Sequence, residues 1–238
     1  MRKVLLLCTA TVILSACGGS SSKKFMGLNG HIESVKDFQY EAIEKFGEVE
    51  PGDLDEVIVY TFTPSGHLEK YGIYNDDGDC IVRTENTYNG EECTRTTFYN
   101  SYNDETSIQN LIETKGNIQI WEIRQGDEII QSECVKSDNY SCTTKKDGTI
   151  IERQEHWFND NGDVIEVKIT KDTEIVYWSK SKFQNGNEVQ TEYLTGDSGG
   201  ITTYSYGDYD ATGNWTKKII YRNGEAEYII KREIKYTK

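Results

Sequence analysis

Proline is nearly missing from this chain of 238 residues, with two in all, and histidine is almost as scarce, with three. The histidines, His31, His67 and His156, are scattered, which makes a poor metal set. Close Cys-x-x-Cys pairs are missing as well, so a tetrahedral four-cysteine zinc site is excluded. An excess of basic charge is absent: 26 Lys and Arg face 40 Asp and Glu, for a formal net charge of −14. Phosphate backbones and anionic headgroups repel such a chain, which excludes a nucleic-acid partner. The one apolar run, Val4 to Leu14, is too short to cross a bilayer as a permanent helix. Helical periodicity is confined to that same run, so a helical body is not expected.

What is there begins with a signal. Arg2 and Lys3 precede the apolar stretch and small residues follow it, the three-part layout of a secretory segment. Leu14-Ser15-Ala16-Cys17 resembles the lipobox of bacterial lipoproteins. That resemblance implies cleavage after residue 16, acylation of the Cys17 thiol and attachment to a membrane through that lipid. Gly18 stands where an Asp would resemble an inner-membrane retention signal, so the resemblance points to the outer membrane, with periplasmic and surface-facing placement both open. The small, polar Gly18 to Lys24 reads as a flexible tether. The expected organisation is a signal peptide over 1–16, a lipidated N-terminus and tether over 17–26, and a single domain over 27–238.

Cys8 leaves with the signal, and Cys80, Cys93, Cys134 and Cys142 stay in the body. An even number suits an oxidising compartment. Their spacing suggests local pairs, Cys80 with Cys93 and Cys134 with Cys142, each across one turn.

The body is organised by two recurring units. One is an aromatic residue, three variable residues, glycine, one more residue and an apolar one: Phe62 to Leu68, Tyr74 to Cys80, Phe158 to Val164 and Tyr209 to Trp215. The other is a short Asn-Gly, at Asn89-Gly90, Asn185-Gly186 and Asn223-Gly224. Glycine and asparagine supply the positive φ that a tight reversal between twisted antiparallel strands requires. Weaker turns fit at Lys115-Gly116-Asn117, Gln125-Gly126-Asp127, Ser137-Asp138-Asn139, Lys146-Asp147-Gly148 and Gly196-Asp197. Between turns the residues alternate: Tyr228, Ile230, Ile234 and Tyr236 take one face, Lys231, Glu233 and Lys235 the other. Glu41 to Phe46 suits one helical turn, but Gly47 and Pro51 follow, so a long loop between two early strands is expected there.

These units, Tyr209-Asp210-Ala211-Thr212-Gly213 above all, resemble the YD repeats of Rhs-type bacterial proteins and more loosely MORN-type repeats. The resemblance implies a long antiparallel β-meander and no catalytic residues. The chain has few, uneven copies and no toxin-like region, so a delivery role does not carry over. The expected fold is all-β: an antiparallel β-meander of repeated hairpins forming an elongated curved sheet or open partial barrel.

Several site motifs dissolve on inspection. Gly196-Asp197-Ser198-Gly199-Gly200 resembles the nucleophile loop of chymotrypsin-like proteases, but no histidine segment of that family precedes it. Asp76 to Asp79 and Asn159 to Asp163 resemble pieces of a calcium loop, yet Lys168 stands where the twelfth-position glutamate belongs, and turn chemistry accounts for the same residues. Trp121, Trp157, Trp178 and Trp215 remain as candidates for stacking on a sugar or anchoring a partner, against a purely structural role in cross-strand pairing. The functional expectation is a non-catalytic cell-envelope lipoprotein without cofactors whose β surface binds a protein or glycan. Two alternatives stand beside it: an enzyme acting on envelope polysaccharide through a carboxylate pair, and a structural spacer.

Overall fold

The computed structural model describes residues 26–101, 105–195 and 199–237. The signal over 1–16, Cys17 and the tether up to residue 25 lie outside the described residues, as do Gly196, Asp197 and Ser198.

Sixteen strands follow one another: β1 (Ile32–Lys45), β2 (Glu48–Phe62), β3 (Leu68–Asn75), β4 (Cys80–Asn89), β5 (Glu92–Asn100), β6 (Glu105–Lys115), β7 (Ile118–Gln125), β8 (Glu128–Lys136), β9 (Asn139–Lys146), β10 (Thr149–Phe158), β11 (Val164–Lys171), β12 (Glu174–Gln184), β13 (Asn187–Tyr193), β14 (Gly200–Tyr209), β15 (Trp215–Arg222) and β16 (Glu225–Tyr236). Each is antiparallel to the next in chain order, and β1 bonds β16 from Ile32 opposite Tyr236 to Glu41 opposite Tyr228. The ring therefore closes. An open curved sheet or partial barrel is corrected to a closed sixteen-stranded barrel, and the physical reason is that a meander left open exposes two unpaired edges, whereas closure removes both.

A buried ion pair fastens that seam. Arg232 on β16 donates two hydrogen bonds of 2.7 Å to the carboxylate of Asp37, its register partner on β1. Both side chains are almost wholly buried, and the guanidinium lies 3.4 Å over the Trp215 ring.

The four long units become four turns of one design. In each, the residue after the aromatic donates its N–H four residues on, and the glycine N–H returns to it: Thr63 and Gly66, Asn75 and Gly78, Asn159 and Gly162, Asp210 and Gly213. The side chain of that first residue also accepts the N–H four positions later, from Asp79 to Asn75, Asp163 to Asn159 and Asn214 to Asp210. These oxygens thus hold the turn together, and among the described residues no group of three His, Cys, Asp or Glu is placed to hold a metal.

The antiparallel order puts the start of β1 and the end of β16 on one rim and the β1–β2 turn on the other. At the terminal rim the segment before β1 is strapped down. Asn214 accepts the Asn29 N–H at 2.7 Å and donates to the Asn29 carbonyl at 3.0 Å, while Leu28 is buried with Ile32, Val35 and Phe62. Gly27 passes the β12–β13 turn so closely, with a φ of +63°, that a Cβ there would lie 2.9 Å from the Gly186 carbonyl oxygen.

Residues 41–46 are corrected too. Residues 41–45 are the end of β1, pairing with β2 from Ala42 opposite Pro51 to Lys45 opposite Glu48, and Phe46 opens the turn. The turn is tight, with Phe46 and Gly47 at φ 53° and 83°.

Candidate binding site in the barrel interior

Alternation along the strands sends one set of side chains inward and the other outward. Val35, Tyr60, Tyr71 and Thr84 are register partners in succession across β1 to β4 and face in, with Ile58, Ile73 and Val82 beside them. This sector holds the main apolar core.

The outer wall mixes charged residues with apolar ones, Ile129, Ile150 and Ile201 among them. Cross-strand pairs run over it: Lys70 with Glu85 at 3.9 Å, Lys145 with Glu133 at 3.9 Å, Lys180 with Glu166 at 3.6 Å and Lys235 with Glu33 at 2.6 Å. Aromatic side chains on this face lie under cations, Trp178 beneath Lys168 and Lys180, Tyr40 beneath Lys231. On a wall in contact with lipid, each Lys or Arg facing the bilayer midplane costs about 2–4 kcal/mol.

On the inner wall of β6 to β10 is a cavity of about 180 Å³. Trp121, only 6% exposed, supplies an aromatic surface, with Ile123, Ile130 and Ile151 beside it. Polar groups converge on the same space from Gln109, Gln119, Gln154, Ser132, Thr144 and Glu152. They are held in place by one another and by the wall. Gln119 donates to Glu92 at 3.1 Å, Ser132 and Thr144 share a 2.9 Å hydrogen bond, and Gln154 donates to Glu152, which also meets Lys171 at 3.2 Å. Hydrogen bonds from Thr114 and Gln119 hold the Glu92 carboxyl below its ordinary pKa. Among the described residues Glu152 is the one carboxylate lining the cavity, so they place no facing acid pair there for glycoside hydrolysis.

The Cys134–Cys142 disulfide forms part of this wall, between directly opposed residues of β8 and β9 with Cα atoms 4.0 Å apart. The other expected pair is corrected. Cys80 opens β4 beside the β3–β4 turn, whereas Cys93 sits at the far end of that strand, opposite Tyr88, so nearly the whole of β4 separates them and both remain thiols. Cys93 instead points its thiol at the Arg95 carbonyl, 3.6 Å away.

The four tryptophans part company. Trp121 lies in the cavity; Trp215 is buried under Arg232 and Lys218. Trp178 sits on the outer wall, donating to Glu166 at 2.7 Å, and Trp157 is half-buried on that same face, opposite Glu166. The amide and hydroxyl groups of the cavity carry no sequence motif; only the period-two alternation around Trp121 could have grouped them. His67 is tied to Glu91 at 2.6 Å and stacks on Tyr88, while His156 is buried opposite Tyr140 and Val167, so the histidines stay apart.

No family model matches the chain, and no curated protein is similar to it. Among solved structures, the crystal structure of a porin-like protein from Bacteroides uniformis superposes with a TM-score of 0.51 at 13% identity, over 86% of this chain and 98% of that one. The likeness is one of fold. It agrees with the closed all-β barrel.

Proposed function

We propose that this chain is a non-catalytic envelope lipoprotein whose barrel stands in water, tethered to the outer membrane through acylated Cys17, and binds a small polyhydroxylated ligand inside. One observation carries the reading: the barrel wall carries cross-strand ion pairs on its outer face and encloses an aromatic-and-amide cavity on its inner one. Such a wall suits an aqueous compartment and leaves the lipid on Cys17 as the membrane attachment. The strapped segment ahead of β1 leaves from the terminal rim, so that rim faces the bilayer.

The cavity matches sugar chemistry in kind. One indole face offers stacking on the apolar side of a ring, and amides and hydroxyls offer donors and acceptors to its edge. At about 180 Å³ it is smaller than the roughly 300–1,000 Å³ of drug-sized sites, which suits a single ring rather than a chain. A protein partner on the outer face is the second reading, supported by the half-buried Trp157.

Cell fractionation tests the placement. Cys17→Ala should move the protein from the membrane pellet to the soluble envelope fraction, and wild-type chain should be released by lipid cleavage alone. Persistence of the variant in carbonate-washed membranes would mean a bilayer-embedded barrel and end the proposal.

A further inference from the structure

Five acidic residues, Glu41, Glu44, Glu48, Glu50 and Asp53, crowd the β1–β2 hairpin, with Lys45 as the single basic one. β16 leaves β1 after Glu41, and β3 leaves β2 at Glu56, so the ribbon continues alone for four more rungs. At about 3.3 Å per residue it stands roughly 13 Å beyond its neighbours' pairing. Its tip is Phe46, fully exposed.

The tip residue is the wrong one for its turn. Among the described residues four hairpins reverse through two residues at positive φ with glycine second: Asp147-Gly148, Asn185-Gly186, Asn223-Gly224 and Phe46-Gly47. Three of them use Asp or Asn, whose short polar side chains tolerate the left-handed region. Phenylalanine does not, and it gains no burial in exchange. A bulky side chain held in a strained turn at the end of a projecting ribbon is placed for contact with something else.

We infer that the β1–β2 hairpin is a docking prong that seats Phe46 in an apolar socket of a partner protein, with basic side chains around that socket. The acid collar selects this occupant. It complements Lys and Arg on a protein and is repelled by anionic headgroups. The prong also rises from the rim opposite the one where the chain enters the barrel. The inference rests on the hairpin alone and does not depend on the Trp121 cavity.

Photo-crosslinking in intact cells tests it, using the full chain with Phe46→benzoyl-phenylalanine. The expected result is one discrete protein adduct whose crosslinked peptide carries apolar residues together with Lys or Arg, reduced at least tenfold when Glu44→Gln, Glu48→Gln and Glu50→Gln are combined. No adduct, a lipid adduct, or a protein adduct indifferent to the collar would overturn the inference. Phe46→Asn separates docking from folding: it should abolish competition for the socket while leaving the melting temperature equal or higher. A lowered melting temperature would assign Phe46 to the fold and refute its role as an anchor.

Discussion

His156 shows how burial alone sets the charge of a residue. It is 0% exposed, neither ring nitrogen meets a hydrogen-bond partner among the described residues, and desolvation pulls its pKa from 6.5 to about 4. The unfolded chain binds this proton more readily than the folded one between those values, so stability is full above pH 6.5 and is lost as pH falls towards 4. The loss from this group amounts to roughly 3 kcal/mol. His156→Leu should remove that part of the acid slope while keeping stability at pH 7, as read by urea unfolding at several pH values. An unchanged slope would show that carboxylates alone govern acid unfolding. Trp121 gives a second test at this scale. Trp121→Ala should abolish any saturation-transfer signal that glucose, galactose or N-acetylglucosamine gives with the wild-type chain, and a signal indifferent to the change would place binding elsewhere. The thiols offer a third. Cys134 and Cys142 should resist alkylation without reductant, Cys80 should react in the native state, and Cys93 only after unfolding, by mass mapping.

Among the elements, β1 and β16 carry the closure. Their buried pair, Asp37 and Arg232, is almost wholly withdrawn from solvent, so removing one partner leaves the other charge stranded. Asp37→Ala is expected to cost about 3–5 kcal/mol, whereas replacing both residues by apolar ones of similar volume should cost much less. Thermal unfolding of the single and double variants reads the difference. The hairpins were legible in the sequence wherever glycine followed Asp or Asn, as at Asp147-Gly148 and Asn223-Gly224. They were not legible at Phe46-Gly47 or Asp172-Thr173, where one residue of the pair departs from the preferred chemistry. Cys134 and Cys142 were readable as a pair because one tight turn separates them. Cys80 and Cys93 misled because their spacing spans a turn and a whole strand, and sequence distance says nothing of which rim a residue reaches.

As a whole, the molecule combines a closed ring, a fold it shares with a porin-like protein, with cross-strand ion pairs on its outer face. The body without its tether should therefore remain monodisperse in detergent-free buffer, measured by sedimentation, and partition into detergent micelles would contradict the proposed aqueous placement. What the sequence by itself determined is the strand character, most of the reversals and the acidic surface, because turn chemistry, side-chain alternation and charge are local properties. Only the tertiary structure decided that the ring closes, which face of each strand looks inward, and that Trp121 rather than Trp178 meets a cavity. Those are decided by the pairing of residues nearly the whole chain apart, Asp37 with Arg232, and no local pattern encodes a contact between the two ends.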